Sequence, residues 1–317
     1  MAPLIDKVKF KLLTRPAETR HQGGGQSAPA QEPPMSRIVY VNGAYLPEDQ
    51  ARISIFDRGF LFADGIYEVS AVIKGRLVDA EAHLARLERS CAAISLGLVW
   101  SAQELLEIHR ELIVRNGLVD GGVYLQVTRG AADRSFTFPD GARPTLVMFT
   151  QARAMSREVE RGYKLKSVAD LRWARRDIKS VGLLAQVLAK QEAAEAGCDE
   201  ALMIEDGVIT EGGSSTMWIV KGKTLISRPL SNAVLPGITR TAVLSYLAET
   251  GFTFEERAFT LDEALAADEA FITAATALVM PATEIDGQRI GGGQPGPVAR
   301  RLRDIYFDLA EQGGALG

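Results

Sequence analysis

Ile38-Val-Tyr-Val-Asn-Gly-Ala-Tyr-Leu46 sets two short apolar runs on either side of Asn42-Gly43. Asn-Gly accepts the positive φ angles that a two-residue turn demands, so the stretch reads as a β-hairpin. Working outward, residues 67–78 predict a second hairpin turning at Lys74-Gly75. Two helices follow. One carries Leu84, Leu87, Cys91 and Ile94 on a single face, and the next opens on Ser101-Ala-Gln-Glu104, a capping box ahead of Leu105, Ile108 and Leu112. Residues 123–128 and 145–149 read as buried strands, and the polar stretch 151–158 lacks an apolar period, so the domain boundary is expected there. Beyond it the pattern predicts strands near 163–168, 201–204, 208–210, 217–220 and 270–273, with helices over about 181–196, 240–249 and 297–311. The last helix carries Leu302, Ile305, Tyr306 and Leu309 at helical spacing. Strands and helices mix without a regular βαβ repeat, which predicts an α+β fold of two domains, a small one over 35–152 and a larger one over 153–317.

Bulk composition agrees with a folded chain and narrows the function. The 317 residues are 46% hydrophobic and 24% charged, ordinary globular values. A net charge of −4 argues against a basic nucleic-acid surface. Two cysteines, Cys91 and Cys198, are too few for a disulfide framework, and with three histidines they suggest no metal site. A reducing cytoplasm is the simpler setting. No apolar run approaches the roughly 20 residues that span a bilayer. Residues 1–34 differ from the rest: a short basic stretch from Lys7 to Lys11 precedes a Gly-, Gln- and Pro-rich segment, 21–34, that reads as linker-like and disordered. It lacks the apolar core of a secretory signal, leaving a transit-like segment or an upstream extension with Met35 as the working start. No catalytic role is expected there.

Three short segments carry chemistry. Leu235-Pro-Gly-Ile-Thr239 runs straight into an amphipathic helix closed by Gly251. A helix start of this kind offers free backbone N–H groups to an anion, although a plain helix start with Thr239 as N-cap reads equally from these residues. Thr210-Glu-Gly-Gly-Ser-Ser-Thr216 links two strands with a glycine- and hydroxyl-rich turn. Its glycines permit close approach to a flat ligand and its Glu211 suits a cationic ring nitrogen; a polar hairpin loop is the other reading. Arg175-Arg-Asp-Ile-Lys179-Ser180 sits between a strand and a helix. Arg175 and Arg176 beside Lys179 would oppose its protonation and favour a nucleophilic amine, whereas most lysines so placed are solvated. His83 and His109 read as helix-surface histidines, and Trp173 and Trp218 as core or interface aromatics. Neither turn is a dinucleotide or ATP motif.

A Schiff-base lysine, a carboxylate for a pyridinium nitrogen and a phosphate-cradling helix start together make a pyridoxal-phosphate (PLP) site. In sequence, Asp57-Arg-Gly-Phe-Leu-Phe-Ala-Asp-Gly-Ile-Tyr-Glu-Val69, the Arg86 segment, Asp177-Ile-Lys179-Ser, Thr210-Glu211-Gly and Leu235-Pro-Gly-Ile-Thr-Arg240 resemble the class IV (fold type IV) PLP aminotransferases. Within that class, Val123-Tyr-Leu-Gln-Val-Thr-Arg-Gly130 and residues 183–192 are most similar to the D-amino acid (D-alanine) aminotransferases. The resemblance implies a fold-type-IV architecture and transamination of D-alanine with 2-oxoglutarate, giving pyruvate and D-glutamate. It implies Lys179 as Schiff-base lysine and proton carrier, and Glu211 on the ring nitrogen. Arg86, Gly237, Ile238 and Thr239 would bind the phosphate, Leu235 would pack on a ring face, and Ser214, Ser215, Ala274 and Ala275 would line the cofactor. Tyr67, Arg134 and Phe136 would meet the substrate. Two departures stand out. Phe136 occupies the position of the histidine that joins the arginine and tyrosine in the D-amino acid enzymes' carboxylate trap, and Ala274-Ala275 replace hydroxyl residues often found near the phosphate, with Thr276 next in line. L-branched-chain aminotransferase, R-selective amine transaminase and aminodeoxychorismate lyase share the fold and the lysine and remain open, as does a cofactor-binding protein without turnover. The family's homodimers imply a homodimer here.

Overall fold

The structure is a computed structural model that describes residues 36–312; the expected extension over 1–34 lies outside the described residues. The chain opens with β1 (Ile38–Val41) and β2 (Ala44–Pro47), then a short helix α1 (Arg58–Phe62). Strands β3 (Gly65–Ile73) and β4 (Arg76–Leu77) precede helices α2 (Ala80–Ala93) and α3 (Ala102–Arg115), and β5 (Gly121–Thr128) and β6 (Thr145–Ala152) follow. These six strands form one sheet in the order β2-β1-β6-β5-β3-β4. Asn42 and Gly43 take φ of 49° and 99°, and Lys74 and Gly75 take 51° and 76°, so both expected turns form. Ser101 and Glu104 close the expected capping box on α3. The inward faces of α2 and α3 lay Leu84, Leu87, Leu105 and Leu112 on Val123, Leu125, Leu146 and Met148, closing one core against this sheet.

The chain passes to the second sheet between Ala152 and Tyr163. Its elements are β7 (Tyr163–Ala169), α4 (Leu184–Glu195), β8 (Glu200–Glu205), β9 (Val208–Gly212), β10 (Thr216–Lys221), β11 (Thr224–Ser227), α5 (Ile238–Leu247), β12 (Thr253–Glu256), α6 (Leu261–Leu265), β13 (Glu269–Ala274), β14 (Leu278–Ile285), β15 (Gln288–Arg289) and α7 (Pro297–Gln312). Strand order is β12-β11-β10-β13-β14-β7-β8-β9, with β15 on β14. Antiparallel pairs dominate, but β14–β7, β7–β8 and β11–β12 run parallel, the last two joined by the helical crossovers α4 and α5. Strands β11, β12, β14 and β15 were not expected from sequence. β14 carries Pro281 and β12 reads Thr-Phe-Glu-Glu, neither a distinctive strand pattern.

α7 presses Val298, Leu302, Tyr306 and Phe307 onto Trp218, Phe271 and Val279, and Ala71, Ile73 and Val78 from the first half join the same cluster. One core therefore spans both halves. Each fully buried Leu-sized side chain there contributes about 1.5–3 kcal/mol. Among the described residues no helix is long and apolar enough to cross a membrane.

Candidate active site

A cavity of about 340 Å³ lies where the two sheets meet, within the size range of small-molecule sites. The loop between β7 and α4 is stitched to the first sheet: Tyr67 N–H donates to the Lys179 carbonyl at 3.1 Å and Val181 N–H to that of Gly65 at 3.0 Å. That clamp aims Lys179 into the cavity, with Nζ 4.2 Å from the centre of the Tyr67 ring. Tyr67 in turn stacks on Tyr124, and Tyr124 on Phe149, so the ring is fixed from behind.

Arg175 and Arg176 each have a carboxylate partner of their own. Arg175 forks onto Asp177 with both contacts at 2.9 Å, and Arg176 onto Glu205 at 2.8 and 2.5 Å. Their charges are matched where they stand, and α4 begins only at Leu184.

Opposite the lysine, Glu211 ends β9 fully buried. Burial pushes its carboxyl above the ordinary range, against the Arg172 guanidinium bonded to Oε1, and Leu235 N–H donates to Oε2 at 3.1 Å. Helix α5 starts at Ile238 with Gly237 as N-cap and no capping side chain. Thr239 is therefore inside the first turn, not the cap of the plain reading, and its side chain is buried. A Cβ on Gly237 would sit 2.8 Å from Thr216 Oγ1, so only glycine lets the helix start approach β10 this closely. Uncapped N–H groups and a positive helix end make this a seat for an anion.

Arg86 approaches the same point from α2, its Nη1 donating to the Pro236 carbonyl at 3.0 Å. Its Nε and Nη2 fork onto Glu68, each at 2.7 Å, and His83 Nδ1 lies 2.8 Å from the same carboxylate. Burial pushes Glu68 up, but Arg86 and His83 outweigh it and hold it well below the usual carboxylate range. His83 is itself pushed down by burial. The surface reading of both histidines is thus corrected: His83 and His109 are 3% and 2% exposed. His83 lines the cavity, while His109 bonds the Leu105 carbonyl inside the first core. Trp218 is a core residue as expected, whereas Trp173 is half-exposed and lines the cavity.

Leu235, Gly237, Ile238, Thr239, Ser214, Ser215, Ala274 and Ala275 all line this one cavity with Tyr67, Arg86, Lys179 and Glu211. Ser214 and Ser215 are tied to Glu200, and Lys190 bonds both Ser214 and Glu200 at 3.0 Å. Arg134 and Phe136 stand apart. They lie exposed outside the lining, with the Arg134 guanidinium 5.2 and 5.4 Å from the Phe62 and Phe136 ring centres. Sequence reading missed Glu68, His83 and Arg172. The signal for Glu68 was present, since it follows Tyr67 and its buried position on β3 faces the Arg86 helix, but pairing across elements is invisible in a single sequence.

The model for amino-transferase class IV matches residues 65–285. The chain belongs to the class IV aminotransferases. D-alanine aminotransferase from Bacillus licheniformis is 42% identical over 266 residues, covering 84% of this chain and 94% of the relative. The Staphylococcus epidermidis D-alanine aminotransferase is 38% identical over 270 residues, covering 84% and 96%. Among solved structures, the T.th. branched-chain amino acid aminotransferase with pyridoxamine 5'-phosphate superposes with TM-score 0.81 at 25% identity, covering 88% of this chain and 95% of that one. The Escherichia coli branched-chain enzyme, at TM-score 0.82 and 22% identity, covers 88% and 96% and shares the fold. This class IV aminotransferase is accordingly an α+β enzyme of fold type IV whose cofactor is PLP. The residues present fit that cofactor: an uncapped helix start with Arg86 beside it, a buried carboxylate and a lysine amine all line one cavity.

Proposed function

We propose that this aminotransferase acts on D-amino acids, taking the amino group of D-alanine and delivering it to 2-oxoglutarate. The observation that carries the reading is the 42% identity with a D-alanine aminotransferase along nearly its whole length. It is joined by a cavity that gathers the lysine, the carboxylate and the helix start. When bound, PLP supplies the electron sink for the pair released at the substrate's α-carbon. Lys179 is the amine that would hold the cofactor and would carry the substrate's α-proton. Glu211 keeps a proton on the ring nitrogen. Arg86, Gly237, Ile238 and Thr239 bind the phosphate, the guanidinium as a charge-assisted donor and the helix start through N–H groups. Leu235 packs on one ring face, and Ser214, Ser215, Ala274 and Ala275 complete the lining, with alanines offering backbone donors only. Tyr67 orients the substrate beside Lys179, and Arg134 receives its carboxylate with Phe136 beside it.

The working unit is a homodimer in the cytoplasm. Ile53, Ile55, Phe56, Phe60, Phe136 and Phe138 are exposed apolar side chains on segments 53–60 and 136–138, and exposed apolar groups concentrated in this way mark association sites. Residues 35–152 and 153–317 are the two domains, consistent with the change of sheet between Ala152 and Tyr163. A second reading, transfer from L-branched-chain amino acids, draws on the branched-chain enzymes among the solved structures and on apolar Phe136.

The test is a half-reaction. PLP-loaded enzyme is mixed separately with D-alanine, L-leucine and (R)-1-phenylethylamine while the visible cofactor band is followed. Bleaching by D-alanine, lost in Lys179→Ala, is the expected result. Bleaching by L-leucine or the amine alone overturns the D-amino acid reading.

A further inference from the structure

Glu211 is joined to a row of charges that the reaction as described does not use. Arg172, 5% exposed in its side chain, donates from Nη1 to Glu211 and forks from Nε and Nη2 onto Asp170 at 2.9 and 2.6 Å. Asp170, fully buried in its side chain, also accepts from Thr210 Oγ1 at 2.7 Å and lies 3.4 Å from Arg176 Nη1. Arg176 then forks onto Glu205, whose side chain is 37% exposed. The contacts run Glu211, Arg172, Asp170, Arg176, Glu205, with the sign of charge alternating at every step, and Arg172 and Arg176 line the cavity alongside Glu211.

We propose that Arg172 is a positioning residue for the transamination, fixing Glu211 as an ionised, oriented partner for the cofactor's ring nitrogen through this buried ladder. The inference rests on the reading of Glu211 as that partner. A carboxyl group buried as deeply as Glu211 favours its neutral form, and a neutral carboxyl shares its proton with a ring nitrogen the wrong way round: the proton stays on the oxygen and the electron sink weakens. A guanidinium in direct contact with the carboxylate favours the proton on the far side, at the ring. The same positive charge would also repel a protonated ring, but Asp170 stands at its back and offsets that longer-range effect, while the short contact to Glu211 is kept. The alternation therefore delivers a local field at the carboxylate with little net charge at the cofactor. Leu235 N–H, the second donor to Glu211, holds the carboxylate from another residue that lines the cavity.

A purely structural role for Arg172, neutralising two buried carboxylates, makes a different forecast, so the readout is spectroscopic. Because Arg172→Met alone strands two buried carboxylates, the informative variant is Arg172→Gln/Asp170→Asn, which removes one charge of each sign and keeps hydrogen-bonding groups in both places. PLP-loaded wild type, this pair, Arg172→Lys and Glu211→Gln are compared by pH titration of the visible band and by kcat and KM for the amino donor. The pair variant is expected to move the band's titration in the same direction as Glu211→Gln. It should lower kcat roughly 10- to 100-fold, the effect of losing one hydrogen bond to a charged group, with KM changed less than about threefold. Its kcat–pH profile should lose its alkaline limb at lower pH than wild type, and Arg172→Lys should recover most of the change. A pair variant that titrates like wild type while Glu211→Gln shifts overturns the role of Arg172 and leaves that of Glu211 standing. A Glu211→Gln enzyme with an unchanged band overturns both.

Discussion

Glu68→Gln is the substitution whose consequences the structure specifies most fully. Glu68 accepts two hydrogen bonds from Arg86 at 2.7 Å and one contact from His83 at 2.8 Å, with the three side chains at most 4% exposed. An amide in its place removes the negative charge from a buried guanidinium and sets an NH2 group against one of the donors. Breaking a buried ion pair from one side costs roughly 3–5 kcal/mol. For a chain of this size each kcal/mol shifts Tm by roughly 1.5 °C, so the cofactor-free variant should melt on the order of 5–8 °C lower. The pH dependence supplies an independent signature. Glu68 is held below its unfolded value of about 4.3, so its contribution is fully present above that pH and is lost as pH falls further. Wild type should lose this share of stability in acid, and the variant, lacking the group, should not. Urea unfolding of the cofactor-free proteins at pH 7 and across an acid series measures both. A variant within about 1 kcal/mol of wild type at pH 7, with the same acid slope, would refute the reasoning, since a difference that small belongs to an exposed pair.

The remaining predictions probe other parts of the molecule. His109 is pushed down by burial to about 4, so its stabilising effect, about 3 kcal/mol, is complete above the unfolded value near 6.5 and lost as pH falls toward 4; His109→Leu should flatten that part of the stability profile, with the residual slope belonging to His83. Phe136→His adds a donor beside Arg134, and KM for D-alanine should fall about tenfold, the effect of one hydrogen bond to a charged group; an unchanged KM would remove position 136 from the substrate site. Phe56→Glu in the exposed apolar segment should shift the sedimentation of the enzyme toward the monomer, and an unaltered coefficient would place the association face elsewhere. Mixed Lys179→Ala and Arg134→Ala proteins, each inactive alone, should recover about a quarter of wild-type activity if Arg134 serves the cavity of a second copy, since half of randomly paired dimers then hold one intact site.

Much of this enzyme was legible in its sequence because the decisive features are local. A turn that needs positive φ at Asn42-Gly43, a capping box at Ser101 and Glu104, and apolar residues at helical spacing in α7 are each set within a few residues. The lysine, the acidic turn and the phosphate-type helix start are also short segments, and each reached the cavity. What escaped was pairing at a distance. Glu68 and Arg86 are 18 residues apart and Arg172 and Glu211 are 39 apart, and nothing in either segment announces its partner. His83 and His109 were misread for the same reason: at helical spacing each matches a surface position, and only the packing of α2 and α3 on the sheet shows them to be inside. The cap of α5 was misplaced because Thr239 and Gly237 rank alike as N-cap residues, and the close approach of Gly237 to Thr216, which decides between them, is not visible in the sequence.

Under the proposed roles, the arrangement also separates holding the cofactor from the contribution of Arg134 and Phe136 to substrate choice. Arg86 and Tyr67 come from the first sheet's half, and Lys179, Glu211 and Thr239 from the second. The halves are tied at the cavity itself by the Tyr67–Lys179, Val181–Gly65 and Arg86–Pro236 bonds, and behind it by the Asp79–Tyr306 hydrogen bond and a shared core. A hinge between them would have to break these together, so the cavity is a rigid seat and a poor place to discriminate substrates by closure. Arg134 and Phe136 are outside that framework, exposed and in aromatic contact with Phe62 and each other. Arg58 donates to the Ser135 and Thr137 carbonyls on either side, fixing the backbone of this segment while leaving both side chains free to meet another surface. Substitutions there can alter substrate choice without disturbing the cofactor seat, whereas substitutions at Glu68 or Arg172 act on the seat and reach every substrate alike.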